Sequence, residues 1–413
     1  MDQSIKERLA LLQKGDIPQG YRKTKAGIMP IDWDDTIRAK DVFRNYTDKK
    51  HNGELEILAS TQENGIVPRS QIGIDIQCSD EGIAGYKKVS QGDFVISLRS
   101  FQGGIEYSRY EGIVSPAYTV LKPIKSISDV YYQHYFKTSR FIQRLNSAVY
   151  GIRDGKQIGY QDFGDLYIHY PPIEEQKKIA QILAQCDKVI ELKQQLIAEE
   201  EKKKRWLIEN LLADGVETEF HKCCTNTGEY GLNAPSCPFN PSLPRYIRIT
   251  DIDDRGRYQR ENPVSVDIQD VENYLLEEGD ILFVRTGGTV GKAYRYIPQD
   301  GELVYAGFLI KFSINQKLYD ARFIYYQFFT RRYRNWVATM SARSGQPGIN
   351  ATEYGKYLVK IPGPIQKQSK IADVLCASDI LIDRLTQELS QWNLKKAALS
   401  KLLLNGSVRV RTQ

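Results

Sequence analysis

The chain has 413 residues, 26% charged and 41% hydrophobic, with 57 Lys and Arg against 51 Asp and Glu for a formal net charge of +6. That length predicts two domains, and the composition excludes a wholly disordered or collagen-like chain. No run approaches the ~18 apolar residues of a spanning helix and the charged opening MDQSIKERLALLQKG has no signal-peptide core, so the expected address is the cytoplasm. The mild basic excess leaves DNA, RNA and protein partners open.

In chain order, residues 1–17 predict a short helix, ERLALLQKG, ending at Gly15. Residues 18–172 mix short β-type runs (DFVIS, YTVLK) with Gly- and Asn-bearing turns. VYYQHYFKTSRFIQRL, from Val130, predicts one helical stretch with a buried face and a basic face carrying Arg140 and Arg144. Residues 173–215 follow Pro171 and Pro172 and contain neither Pro nor Gly from Glu174 to Ala213. Their apolar residues, Ile179, Ile182, Leu183, Val189, Ile190, Leu196, Ile197, Leu207 and Leu211, predict a single long helix with a narrow seam. The run EEEKKKR within it, Glu199 to Arg205, reads as a solvated face.

Residues 216–364 return to the mixed pattern (DILFV, FLIKF), with a second aromatic-rich helical stretch, ARFIYYQFFTRRYRNWV, from Ala321. Its Arg331, Arg332 and Arg334 suit either a phosphate backbone or a solvated basic side. Residues 365–406 predict a second long helix, with Ile371, Val374, Leu375, Leu381, Ile382, Leu385, Leu389, Trp392, Leu399 and Leu402 on its seam, and 407–413 form a tail. Gly215 and Gly406 follow the two helices as C-terminal punctuation.

The chain is therefore a repeat with a period of about 192 residues. PPIEEQKKIAQILAQCDKVIELKQQL from Pro171 returns as GPIQKQSKIADVLCASDILIDRLTQEL from Gly363, and QGDFVISLRS from Gln91 resembles EGDILFVRTG from Glu278. RWLIENLLADG, KAALSKLLLNG and the N-terminal ERLALLQKG share one ending, so the chain starts with the tail of its own repeat. Such a cyclic order predicts two halves related by a pseudo-twofold axis, termini close together, and two long helices that bury each other as an antiparallel coiled coil. A helix of roughly 38 residues is about 57 Å long, which spans on the order of 16 base pairs.

Catalytic chemistry is absent by pattern. RTGGTVGKA, Arg285 to Ala293, has too short a Gly spacing for a phosphate-binding loop, and Ala293 stands where the magnesium-binding Ser or Thr is required. Cys223, Cys224 and Cys237 near His221 fit no common zinc spacing, and the four His residues are scattered. No catalytic residue and no metal site is assigned.

The two mixed domains, the Pro-Ile-x-x-Gln-x-x-Ile-Ala helix starts at Pro172 and Pro364, the Leu-Leu-x-x-Gly helix ends and the Gly-Asp strand in each domain resemble the specificity subunit of type I DNA restriction-modification systems. The resemblance implies an α/β (α+β) target recognition domain in each half, each reading one half of a split double-stranded DNA site. It also implies that the two conserved helices form a spacer that sets the gap and docks two modification subunits, which bind S-adenosylmethionine and methylate adenine. Two restriction subunits using ATP and Mg would complete a phage-defence complex in which this chain itself binds no cofactor. Helix residues expected to build the spacer and its docking surface are Ile179, Leu183, Ile190, Leu211, Ile371, Leu375, Ile382 and Leu403.

Candidate DNA contacts fall on two loops per domain. After each Gly-Asp strand lie Arg99, Ser100 and Gln102 in the first domain and Arg285, Thr286 and Lys292 in the second. Before each long helix lie Arg153, Lys156 and Gln157, and Arg343, Gln346 and Asn350. Arg, Gln and Asn suit bidentate base-edge contacts and Lys suits phosphate, although each is equally at home in a surface turn. The alternative of a different class is a coiled-coil scaffold whose two domains grip proteins through Tyr-rich faces.

Overall fold

The computed structural model describes residues 3–51, 53–73, 83–98, 100–148, 158–342 and 348–410. Its principal helices are α1 (Gln3–Lys14), α2 (Asp129–Tyr135), α3 (Ser139–Ala148), α4 (Tyr160–Gly164), α5 (Ile173–Leu211), α6 (Ala321–Tyr326), α7 (Arg331–Ser341), α8 (Ala351–Gly355) and α9 (Ile365–Leu404). The chain divides into two compact units, residues 1–192 with 389–413, and residues 193–388. The division cuts across α5 and α9, because the ends of both helices are built into the cores of the mixed domains. It does not isolate the helices as separate bodies.

In the first unit, strands β1 (Phe43–Tyr46), β2 (Phe94–Ile96), β3 (Glu106–Tyr107) and β4 (Thr119–Pro123) form an antiparallel sheet of order β1-β4-β2-β3. Phe43, Phe94 and Leu121 point from it onto Tyr132, Phe136 and Phe141 of the α2–α3 region. The same core takes in Ile179 and Leu183 from α5 and Leu403 and Leu404 from α9. α9 thus runs antiparallel to α5 here, and Lys396 pairs with Asp187 along the contact.

In the second unit, β5 (Val216–Glu219) pairs with β11 (Leu358–Ile361), and the main sheet is built from β6 (Glu229–Tyr230), β7 (Asp280–Val284), β8 (Ala293–Arg295) and β10 (Leu309–Ser313). Its order, β6-β10-β7-β8, repeats that of the first unit strand for strand. A further sheet contains β9 (Leu303–Tyr305), which runs parallel to Arg245–Ile247. The core joins Phe283 and Phe312 to Phe220, Phe328 and Tyr354, and admits Ile208 from α5, Leu212 just beyond its end, and Ala372 and Leu375 from α9. The helices are antiparallel here too, with Lys193 to Glu388 at 2.7 Å and Lys204 to Asp379 at 2.6 Å.

The repeated sequence signatures acquire physical reasons. Gln176 is fully buried; its amide accepts the Ser128 N–H at 3.0 Å and donates to the Pro171 carbonyl at 2.9 Å. Gln368 does the same with the Asp320 N–H at 3.1 Å and the Gly363 carbonyl at 3.0 Å. Ser128 and Asp320 are the N-caps of α2 and α6, so each Gln ties the start of a long helix to the start of an aromatic one. The Asp of each Gly-Asp strand closes the preceding turn: Asp93 accepts the Ser90 N–H at 2.8 Å and Asp280 the Glu277 N–H at 2.9 Å. Gly215 and Gly406 have φ of 137° and 68°, and a Cβ would strike Ile361 in one case and Pro30 in the other.

Two expectations are corrected, and the N-terminal helix takes a place of its own. Each aromatic stretch is two helices, because the Thr138 and Thr330 hydroxyls accept N–H groups of the following turn, from Phe141 and Tyr333, and restart the helix there. The seam is narrower than the apolar pattern: Leu196, Val374 and Leu381 are exposed, as two helices in contact cover only one stripe of each. The N-terminal copy of the helix ending does not enter a core. Leu403 and Leu404 occupy that place, Leu11 is exposed, and the N-terminal region meets the tail where Tyr21 donates to the Gly406 carbonyl at 2.6 Å.

Arg409 of the tail fastens this closure, with both terminal nitrogens on the Asp32 carboxylate, at 2.8 and 2.7 Å, and its Nε on buried Glu175 at 2.7 Å. His169, wholly buried, sets Nδ1 2.9 Å from the Leu404 carbonyl and Nε2 3.4 Å from that of Ala26. Burial pushes its pKa from 6.5 down to about 4, against the two carbonyls, which favour the charged ring.

Replacing Gln368 by Leu leaves the Asp320 N–H and the Gly363 carbonyl without partners, and the expected loss is about 2–3 kcal/mol in denaturant melts. For His169 the neutral ring is the folded form, so its contribution is complete above pH 6.5 and is lost as the pH falls toward 4, by about 3 kcal/mol in all. Melting across that range, for the chain and for H169Q, checks this; the substituted chain loses that part of the slope.

Candidate nucleic-acid interface

The candidate loops of the second unit meet at one end of its main sheet. β6 ends there at Tyr230, β10 begins at Leu309, β7 ends at Val284 and β8 begins at Ala293. The Gly-rich loop 285–292 therefore leaves the sheet beside the turn 306–309. The segment before α8 joins them: the Ile349 N–H donates to the Arg285 carbonyl at 2.9 Å, and Thr286 bridges Gly348. Two loops far apart in sequence thus become one surface carrying Arg285, Thr286 and Asn350.

Each side chain has a defined setting. The Arg285 guanidinium lies 4.8 Å from the centre of the Tyr230 ring, a cation–π contact, and reaches the Gly307 carbonyl at 3.5 Å. Gly287 and Gly288 are exposed, with open space where a Cβ would stand. Lys292, at the far end of the loop, is turned away: its Nζ pairs with Asp254 at 2.6 Å and with the Ile252 carbonyl at 3.3 Å. That ammonium holds the Asp254 carboxyl below its ordinary range.

Asn350 is a helix cap. Its side chain accepts the Glu353 N–H at 3.0 Å while Glu353 accepts the Asn350 N–H at 2.9 Å, a reciprocal capping box for α8. Ser100 is likewise structural in the first unit: it is 1% exposed and its Oγ accepts the Ser97 N–H at 2.9 Å. Gln102 is exposed on the short helix Ser100–Gly103. Arg99, Arg153, Lys156, Gln157, Arg343 and Gln346 lie outside the described residues.

Two aromatic residues at this sheet end escaped the sequence reading. Tyr230 and Phe308 are exposed, and the Tyr230 hydroxyl accepts the Ala351 N–H at 3.2 Å. The available signal was an aromatic residue touching Gly231 or Gly307 at a strand end, which the eye assigns to the core.

The basic faces of the aromatic helices are less free than their sequence suggests. Arg332 pairs with Glu217 at 2.8 Å, Arg334 lies 3.8 Å from Glu209, and Arg144 donates to the Tyr167 carbonyl. The spacer-helix residues divide by burial: Ile179, Leu183, Leu375, Ile382 and Leu403 are buried, whereas Ile190, Leu211 and Ile371 are partly covered.

A cleft of 1010 Å³ between the turn 253–261 and α9 is lined mainly by charges that already have partners. Arg257 meets Asp379 at 2.9 Å, Arg260 meets Asp300 at 2.6 Å, and Arg255 meets Glu201 on α5. Burial works to raise the Asp379 carboxyl, but Lys204, Tyr326 and Arg257 outweigh it and hold it below the ordinary range. Among the described residues no group of three or more His, Cys, Asp or Glu is placed to hold a metal ion. The Cys223 thiol is pushed up to about 12 by burial, which disfavours the thiolate a metal would need. No helix among the described residues is long and apolar enough to cross a membrane.

Residues 30–202 and 238–391 each match the family model of the type I restriction modification DNA specificity domain. The chain is 24% identical to a putative type I restriction enzyme MjaX specificity subunit of Methanocaldococcus jannaschii, over 95% of this chain and 98% of that one. It is 23% identical to the MjaVIII specificity subunit of the same organism, over 78% and 80%. In fold it is similar to the type I restriction-modification S subunit from M. genitalium, with a TM-score of 0.55, 14% identity and 91% and 96% of the two chains covered. A chain from a structural study of complex assembly and conformational transition of the type I R-M system matches with a TM-score of 0.56 and 13% identity, over 95% of this chain and all of that one.

The split between a capping side chain and a cation resting on a ring is measurable by melting. N350A removes a cap and is expected to cost about 1 kcal/mol. R285A removes a half-exposed guanidinium from a ring, and its stability is expected to change by less than about 0.5 kcal/mol.

Proposed function

Because the chain belongs to the type I restriction-modification DNA specificity family and carries two of its recognition domains, we propose that it is the sequence-reading subunit of such a complex, each domain reading one half of a bipartite double-stranded DNA site. The observation that carries this reading is the duplication itself. Two domains with the same sheet order and the same Gln clamp have diverged at the loops on the sheet ends, as two readers of two different half-sites would.

The chain has no catalytic part in this reading. α5 and α9 act as the spacer that sets the gap between half-sites and dock two modification subunits, which bind S-adenosylmethionine and methylate adenine. The exposed Leu192, Trp206, Ile380 and Leu394 on these helices support docking, since large apolar residues facing water on a helix suit a protein partner. Two restriction subunits with ATP and Mg complete the complex, which works in the cytoplasm. DNA is gripped jointly with these partners, so a net charge of +6 on this chain is sufficient.

The test is a domain exchange. The chain is assembled with its modification partners, and methylated adenines are mapped by sequencing before and after residues 18–172 are replaced by another family member's domain. One half of the methylated sequence is expected to change while the other half stays. An unaltered methylated sequence refutes the reading, and binding that is insensitive to salt favours a protein-gripping scaffold instead.

A further inference from the structure

The sheet end that carries Arg285 also holds out an apolar ring for which the fold has no use. Phe308 is 58% exposed at the third position of a tight turn, closed by the Leu309 N–H on the Ala306 carbonyl at 2.8 Å. The turn is fastened on both sides: the Gly307 N–H reaches the Leu232 carbonyl at 2.6 Å, and the Phe308 carbonyl accepts the Arg285 N–H at 3.1 Å. The ring is thus presented on a rigid support, and the Arg285–Tyr230 pair and the open backbone of Gly287 and Gly288 lie beside it.

The chemistry narrows the occupant. A surface for phosphate alone has no need of a phenyl ring, and a purely apolar protein contact has no need of a guanidinium next to it. A flat apolar ring flanked by a cation matches a duplex, in which stacked base faces lie just inside an anionic backbone. We propose that Phe308 is a wedge that enters a base step of the half-site read by the second domain, with Arg285 on the adjoining phosphate. This domain then reads how readily that step unstacks, in addition to base edges. The proposal rests on the DNA-reading function above.

The experiment uses the complex assembled with its modification partners and a duplex carrying the sequence it methylates, with 2-aminopurine placed at successive positions of the half-site. Wild type is expected to raise the fluorescence at one step. F308A is expected to lose that rise and to bind roughly tenfold more weakly, whereas F308W keeps both. Because the ring is exposed, the melting temperature of F308A is expected to match that of wild type. Unchanged fluorescence and affinity in F308A overturn the wedge, as does a loss of complex assembly with DNA binding unaltered. Failure of the wild-type complex to prefer its methylated sequence over random DNA overturns the underlying function instead.

Discussion

Each long helix is shared between two hydrophobic cores, and this constraint organises the molecule. α5 starts among the aromatic residues of the first core with Ile179 and Leu183, and ends in the second with Ile208, followed by Leu212 just past its last turn. α9 starts in the second core with Ala372 and Leu375, and ends in the first with Leu403 and Leu404. Burying a Leu or Ile side chain is worth about 1.5–3 kcal/mol, so these anchors hold each helix end firmly in its core. Neither core is complete without a helix end delivered from the other half of the sequence. The closure at Gly406 and Arg409 follows from that, since the last turn of α9 must be held where Leu404 is needed.

Polar groups then fix the angles at which the anchored pieces meet. Gln176 and Gln368 tie each long helix to an aromatic helix, and Asp187 and Asp379 bind a Lys of the facing helix at corresponding places. Their second partners differ. Asp187 takes His134, at 3.3 Å, whereas Asp379 takes the Tyr326 hydroxyl and Arg257. Both carboxylates are partly covered by the facing helix, and the two halves have partnered them with different residues.

The same economy separates structural from available side chains at the sheet ends. Ser100 and Asn350 spend their hydrogen-bonding capacity on local backbone, and Lys292 spends its charge on Asp254. Arg285, Tyr230 and Phe308 remain turned outward on backbone that is itself well bonded. Phe308 is free to vary on such a surface, because its side chain does not hold the loops; Asn350 and the Tyr230 hydroxyl do.

The sequence by itself determined the two mixed domains, the two long helices and the internal repeat, since each rests on periodicity and punctuation that act locally. It also located the Gly-rich loop and the loop before α8, though not that they join through Ile349 and Gly348. The break in each aromatic helix turned on one Thr hydroxyl, which period alone does not reveal. Only the tertiary structure decided that Leu403 and Leu404, rather than the similar ending near Leu11, fill the first core. The Leu pair is common to both copies, but the position that Leu404 buries is Gln13 in the N-terminal one, and only the C-terminal copy is followed by an Arg409 to fasten it. Which polar residues face outward was likewise a tertiary matter, because a cap and a free side chain carry the same letter.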